Sequence, residues 1–270
     1  MINEIIEMFN YSFINRAFIV GILLSVCASL IGVSLVLRKN SMIGDGLSHV
    51  GFGAFAIATV LNITPLYFAL PVVLIASFLI LKLNSTNKVH GDSAIALLSA
   101  SALAIGTFVI SITKGVNTDI NTYLFGSILS INKEDVIISI ILSVIIIILY
   151  TIFYNKIFAI TFDEKFAKSI GIKTDLYNMI FAALCSIIVV LGMRLMGSLL
   201  ISSLIIFPCI TSMQIYKNFK SVVISSVIIS VITFTLGLIT SYLCEVPTGS
   251  TIVIMNLSLF IIFKIISYIK

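Results

Sequence analysis

Asp45 and His49 lie four residues apart in RKNSMIGDGLSHVGFGA, residues 38–54, a stretch of small and apolar residues between two strongly apolar runs. On an α-helix, residues at that spacing share one face a turn apart, so the carboxylate and the imidazole can converge on one point. A carboxylate inside a membrane helix costs about 2.5 to 3.5 kcal/mol on insertion scales, so such groups commonly face a cavity or a partner and mark ion or proton paths. Two structural readings stand beside this one: an Asp-His hydrogen bond tying the helix to a neighbour, or a solvated pair at a helix end. A hard carboxylate oxygen beside a borderline imidazole nitrogen suits divalent zinc, manganese or iron, and suits a sugar or an apolar drug poorly. Two ligands do not complete a metal site. A symmetric dimer whose copies of this helix meet at the axis would supply two of each. Gly44, Gly46, Ser48, Gly51 and Gly53 would let such helices approach closely.

The other polar positions read more plainly. His90, in NSTNKVHGDSAI, is expected in a solvated connection, and Asp92 as a carboxylate at a helix N-terminus, favoured by the dipole and needing no functional role. Arg194, in LGMRLMGSLL, would snorkel outward or pair with an external acid. ISSLIIFPCITSMQ places Pro208 mid-helix beside Ser202, Ser203, Cys209, Thr211 and Ser212, which reads as a kink whose freed backbone groups are met by hydroxyls, or more boldly as the lining of a pathway. Met193, Met196 and Met213 read as packing. Cys27, Cys185, Cys209 and Cys244 lack metal-site spacing and read as reduced, small apolar residues. HExxH, GxxxxGK[ST] and GxSxG are all missing, so the chain is not expected to be an enzyme, nor to hold a tightly bound cofactor; any ATP must bind on another subunit.

What must position Asp45 and His49 is a set of membrane helices. The 270 residues are 60% hydrophobic and 10% charged, with a mean hydropathy of +1.22, whereas soluble domains carry roughly 25% charged residues. The apolar runs are each about 20 residues long, the length a helix needs to cross a bilayer core, and the short alternating segments of a membrane barrel are lacking. The expected fold is all-α, a polytopic bundle of eight or nine transmembrane helices in one domain over residues 1–270, with candidate spans at 17–37, 43–62, 64–83, 93–113, 135–156, 175–193, 197–216, 220–243 and 247–268. The net charge of +5 reflects Lys and Arg in the connections rather than a nucleic-acid partner. Arg38 and Lys39, Lys82 and Lys88, Lys165 to Lys173, Lys217 and Lys220, and Lys264 and Lys270 then share one side, expected to be cytoplasmic. The opposite connections hold Lys114 and Lys133 with Asp119, Glu134 and Asp135. The acidic N-terminus lacks the pattern of a signal peptide, and the chain is read as mature.

Two connections are long enough for structure of their own. YLFGSILSI within 114–134, about 121–131, reads as an external re-entrant or interfacial helix. In 157–174, Phe162, Phe166 and Ile170 recur every four residues, which gives a short amphipathic helix from Asp163, ended by Gly171.

With these pieces in place, the sequence resembles the permease subunits of bacterial ABC importers for manganese, zinc and iron. RKNSMIGDGLSHVGFGAFAIA matches the family segment that runs Arg-Arg, a few residues, then Gly-Asp-Ala-Leu-Ser-His, with Gly46 where Ala is usual. GDSAIALLSASALAIG, YLFGSILSI, FDEKFAKSIGI, MGSLLISSLIIFPCIT and VPTGSTIVIMNLSLFIIF follow in order. The resemblance implies a fold similar to type II importer permeases, a homodimer in the bacterial plasma membrane, two cytoplasmic ATPase subunits and an extracytoplasmic metal-binding lipoprotein. It carries the metal path onto Asp45 and His49, and a coupling helix that docks on the ATPase onto 161–174, with Phe162, Asp163, Phe166, Ile170 and Gly171. Zinc is favoured as cargo over manganese or iron. The alternatives are a gradient-driven cation transporter or channel with Asp45 as proton site, and an intramembrane metalloenzyme; neither needs an amphipathic cytoplasmic helix.

Overall fold

The computed structural model describes residues 4, 7–85, 91–113, 126 and 133–269. Regular structure among them is helical: α1 (Ser12–Leu37), α2 (Met42–Val60), α3 (Pro65–Ser85), α4 (Gly91–Ile112), α5 (Lys133–Phe162), α6 (Glu164–Ser169), α7 (Thr174–Met196), α8 (Ser198–Met213), α9 (Phe219–Cys244) and α10 (Thr248–Ile269). The expected spans coincide with all of these but α6. His90 and most of 121–131 fall outside the described residues; Gly126 lies against the turn between α7 and α8.

The sequence folds this way because apolar side chains surround each long segment, and in hydrocarbon the helix is the element that satisfies its own backbone. Among the described residues, eight helices are long and apolar enough to cross a membrane; α8, with 16 residues, is shorter. At 1.5 Å per residue it spans about 24 Å, less than a hydrocarbon core. Leu200, Ile201, Leu204, Ile205 and Cys209 of α8 are buried within the protein, so its ends need not reach lipid headgroups.

α1 and α7 form the centre. α1 packs on α5, α7, α8 and α9, while α2 packs on α3, α4, α7 and α8. Leu24, Ile31, Phe52, Phe55, Ile188 and Phe234 are fully enclosed there. The periphery is apolar and exposed, with Leu97, Ile105 and Phe108 on α4, Ile141, Ile148 and Ile152 on α5, and Ile254, Ile261 and Ile265 on α10. That surface suits lipid rather than water.

The glycines of α2 are used inside one chain, which corrects the expectation that they let two copies meet. A Cβ on Gly53 would stand 2.6 Å from the Ala102 carbonyl oxygen of α4, and one on Gly46 2.3 Å from Ile95 Cγ2. Gly44 faces Ile205 of α8 and Gly51 faces Met193 of α7. Ser48 is buried as well, its hydroxyl donating to the Asp45 carbonyl at 2.7 Å. These small residues set how closely α2 sits against its own neighbours.

Two turns with left-handed residues organise the lysine- and arginine-rich end. α1 stops at Arg38, and Lys39 takes φ 59° so that its N–H and that of Asn40 reach the carbonyls of Val36 and Leu35. Gly171, at φ 86°, closes α6 the same way, with N–H bonds from Gly171 to Lys168 and from Ile172 to Ala167.

Candidate functional site

Asp45 lies in the first turn of α2, where the helix dipole favours a negative charge. One turn on, His49 Nε2 is 3.6 Å from Asp45 Oδ2. That separation is too long for a hydrogen bond, so the carboxylate and imidazole share a face without being locked together. Asp45 Oδ1 is instead 3.1 Å from the Ser202 hydroxyl of α8, which also lies 3.0 Å from the Ser198 carbonyl. A hydroxyl has one proton to give, so the Asp45 contact is readily exchanged. His49 Nδ1 is buried and has no hydrogen-bond partner among the described residues.

Most of α2 is enclosed, but Met42, Asp45 and His49 form an open strip on its first half, with the Asp45 side chain 41% exposed and that of His49 28%. The strip forms one wall of a cleft of about 340 Å³, and Asp92, Ala96 and Ala100 of α4 form the other. With a water occupying about 30 Å³ of liquid, such a cleft admits a hydrated ion. No group of three or more His, Cys, Asp or Glu among the described residues converges to hold a metal.

Two residues of this neighbourhood escaped the sequence reading. Asp92 was expected to be a helix-end carboxylate alone, yet it lines the same cleft. The signal was the topology: α2 and α4, separated by a single antiparallel helix, run parallel and begin at the same end, so residues at their starts lie level. Ser202 was expected to meet backbone groups freed by Pro208. Pro208 does sit inside α8, but Ser202 and Ser203 bond the Ser198 and Leu200 carbonyls and Ser212 reaches the Val222 carbonyl of α9 at 3.1 Å. None of them bonds Leu204, whose carbonyl Pro208 leaves free. Arg194 pairs with an acid, Asp135, at 3.0 Å, joining the end of α7 to the start of α5.

The segment 161–174 has a break in it. Phe162 ends α5, Asp163 is extended and caps α6, and α6 runs six residues to the turn at Gly171, as the short helix expected from Asp163 to Gly171 requires. The Asp163 carboxylate accepts the Phe166 N–H at 2.9 Å, and this local cap outcompetes continuation of the helix. Ala167 is fully buried under α6 while Phe162, Phe166 and Ile170 are all more than half exposed. Phe162 also stacks on Phe158 and Phe219, with ring centroids 5.0 and 6.0 Å away. The result is an apolar, exposed platform at the lysine- and arginine-rich end, held by α5 and α9.

Comparison with known proteins agrees with this architecture. The model of the ABC 3 transport family matches residues 10–267. A probable metal transport system membrane protein of Thermotoga maritima is 32% identical over 92% of this chain and 88% of its own length. A manganese import system permease of Streptococcus gordonii is 29% identical over 97% and 94%, and a high-affinity zinc uptake system membrane protein of Haemophilus influenzae is 28% identical over 91% and 94%. Among solved structures, PsaBC of Streptococcus pneumoniae in complex with Fab superposes with a TM-score of 0.86 at 29% identity, covering 97% of this chain and 95% of that one. The chain is thus a multi-pass bacterial membrane permease and belongs to the ABC 3 transport family.

Proposed function

We propose that the chain is the permease subunit of an ATP-driven importer that moves a divalent metal ion into the cytoplasm through a homodimer. The observation that carries this reading is the open strip of Asp45 and His49, a mixed oxygen and nitrogen donor pair, on an otherwise enclosed helix. Two such strips facing across a dimer axis offer two carboxylates and two imidazoles, with water free to fill the coordination. Asp45, loosely held by Ser202, can turn to an ion and release it. The lysine- and arginine-rich end is the cytoplasmic one under the positive-inside rule.

ATP hydrolysis is assigned to two separate cytoplasmic subunits, and delivery of the ion to an extracytoplasmic metal-binding lipoprotein. Asp163, Phe166, Ile170 and Gly171, with Phe162, would form the surface docked on the ATPase. A gradient-driven transporter gives those exposed aromatic and aliphatic residues no role. The relatives include both manganese and zinc systems; the donor set and the affinity order of divalent ions favour zinc. Reconstitution of the permease with its ATPase and binding protein tests the reading. Zinc should stimulate ATP hydrolysis more than manganese does. A stronger response to manganese reassigns the cargo, and no response to either metal contradicts the function.

A further inference from the structure

Arg38 closes α1 at the basic end, and its guanidinium reaches two elements far away in sequence. Nη2 lies 3.2 Å from Glu164 Oε2 of α6 and 3.0 Å from Asn178 Oδ1 of α7, and Asn178 Nδ2 donates to Glu164 Oε1 at 2.7 Å. The three side chains close a ring that joins α1, α6 and α7. Its Arg38 corner is largely sheltered, at 16% side-chain exposure, whereas Glu164 is 46% exposed. A charge placed only to orient the chain in a membrane has no need of one nitrogen, Nη2, donating to acceptors on two other elements. A partly exposed ion pair also adds little to stability.

The ring's position gives it a different use. α6 is too short to persist alone, since helix nucleation is costly, so its place is fixed by its contacts. On one side Phe162, the last residue of α5, leans on Phe219 of α9 and fixes where the segment starts; on the other Glu164 of α6 holds Arg38. Arg38 leads directly into the turn of residues 38–41, which is stiffened by the Lys39 and Asn40 N–H bonds and by one from the Ile43 N–H to the Asn40 carbonyl at 3.1 Å. α2 begins at the far side of that turn, and Asp45 is in its first turn. A displacement of α6 is therefore delivered to the start of α2 without passing through a flexible segment. There the contact between Asp45 and Ser202 of α8 is the one that must open if α2 shifts against α8.

We propose that Arg38 is the positioning residue that transmits movement of α6 to the Asp45/His49 site, through its ring with Glu164 and Asn178. This rests on the reading of 161–174 as the ATPase-docking segment. In membranes holding the full complex, Arg38→Ala and Asn178→Ala should leave ATPase co-purification and ATP hydrolysis intact, because neither residue is on the exposed platform and the Asp163 cap and the buried Ala167 still seat α6 without them. Uptake of radiolabelled zinc and manganese should fall roughly tenfold, within the range of typical coupling energies. Arg38→Glu should be equally defective, and the exchange Arg38→Glu with Glu164→Arg should recover uptake, which a residue needed only for folding would not permit. The inference is overturned if Arg38→Ala transports at the wild-type rate, or if its uptake, ATPase retention and hydrolysis decline in parallel. An unmodified chain that retains no ATPase at all would remove the docking reading itself, and with it the link.

Discussion

Asp45 contributes little to holding the protein together, because its side chain meets one shared hydroxyl and an imidazole beyond hydrogen-bonding distance. Asp45→Asn preserves shape and the Ser202 contact while removing the charge. Its thermal midpoint in detergent should stay within about 3 °C of wild type, the shift that roughly 1 kcal/mol gives in a chain of this size, while metal uptake falls at least tenfold. A midpoint loss as large as the uptake loss would make the residue structural. Arg194 should behave in the opposite way. Asp135 is 6% exposed, so Arg194→Ala takes the 3.0 Å ion-pair contact away from a buried carboxylate and should destabilise the fold by about 1.5 to 3 kcal/mol, read as a lower midpoint that Asp135→Asn partly restores. The sequence made Asp45 and His49 legible because one helical turn relates them. Asp92 and Ser202 were not legible in this way, since they reach the site from α4 and α8, and no local pattern records that approach.

At the scale of elements, the long helices were readable almost residue by residue, because an apolar run of membrane length has one stable backbone conformation in lipid. α6 was readable in position and extent: the short helix expected from Asp163 and ended by Gly171 has its N-cap and its left-handed turn at those residues, while Phe162, counted in the same four-residue spacing, ends α5. That cap is a testable feature. Asp163→Ala should cost about 1 kcal/mol of α6 stability. The buried bundle should keep its thermal midpoint, while co-purification of the ATPase weakens and transport weakens with it. Unchanged ATPase retention and uptake would show that the six-residue helix does not present the docking surface. The glycines of α2 taught a related lesson: their small size was evident, but the partner that comes close is α4, α7 or α8 of the same chain rather than a second copy.

At the scale of the whole molecule, enclosure of α2 by its own neighbours decides how a dimer can form a site. On the first half of α2 only Met42, Asp45 and His49 remain open, beside Asp92, Ala96 and Ala100 of α4, so in the proposed dimer the second copy approaches across this cleft. A site assembled there, as proposed, would belong to neither chain alone, and the basic end with Arg38 and α6 lies next to it. The direct test is metal uptake by mixed dimers, purified through two different tags, in which one copy is wild type and the other carries Asp45→Asn and His49→Ala. A shared site predicts that one altered copy lowers uptake to the level of the doubly altered dimer. Uptake at half the wild-type rate would mean that each chain carries its own complete path, and would contradict the account.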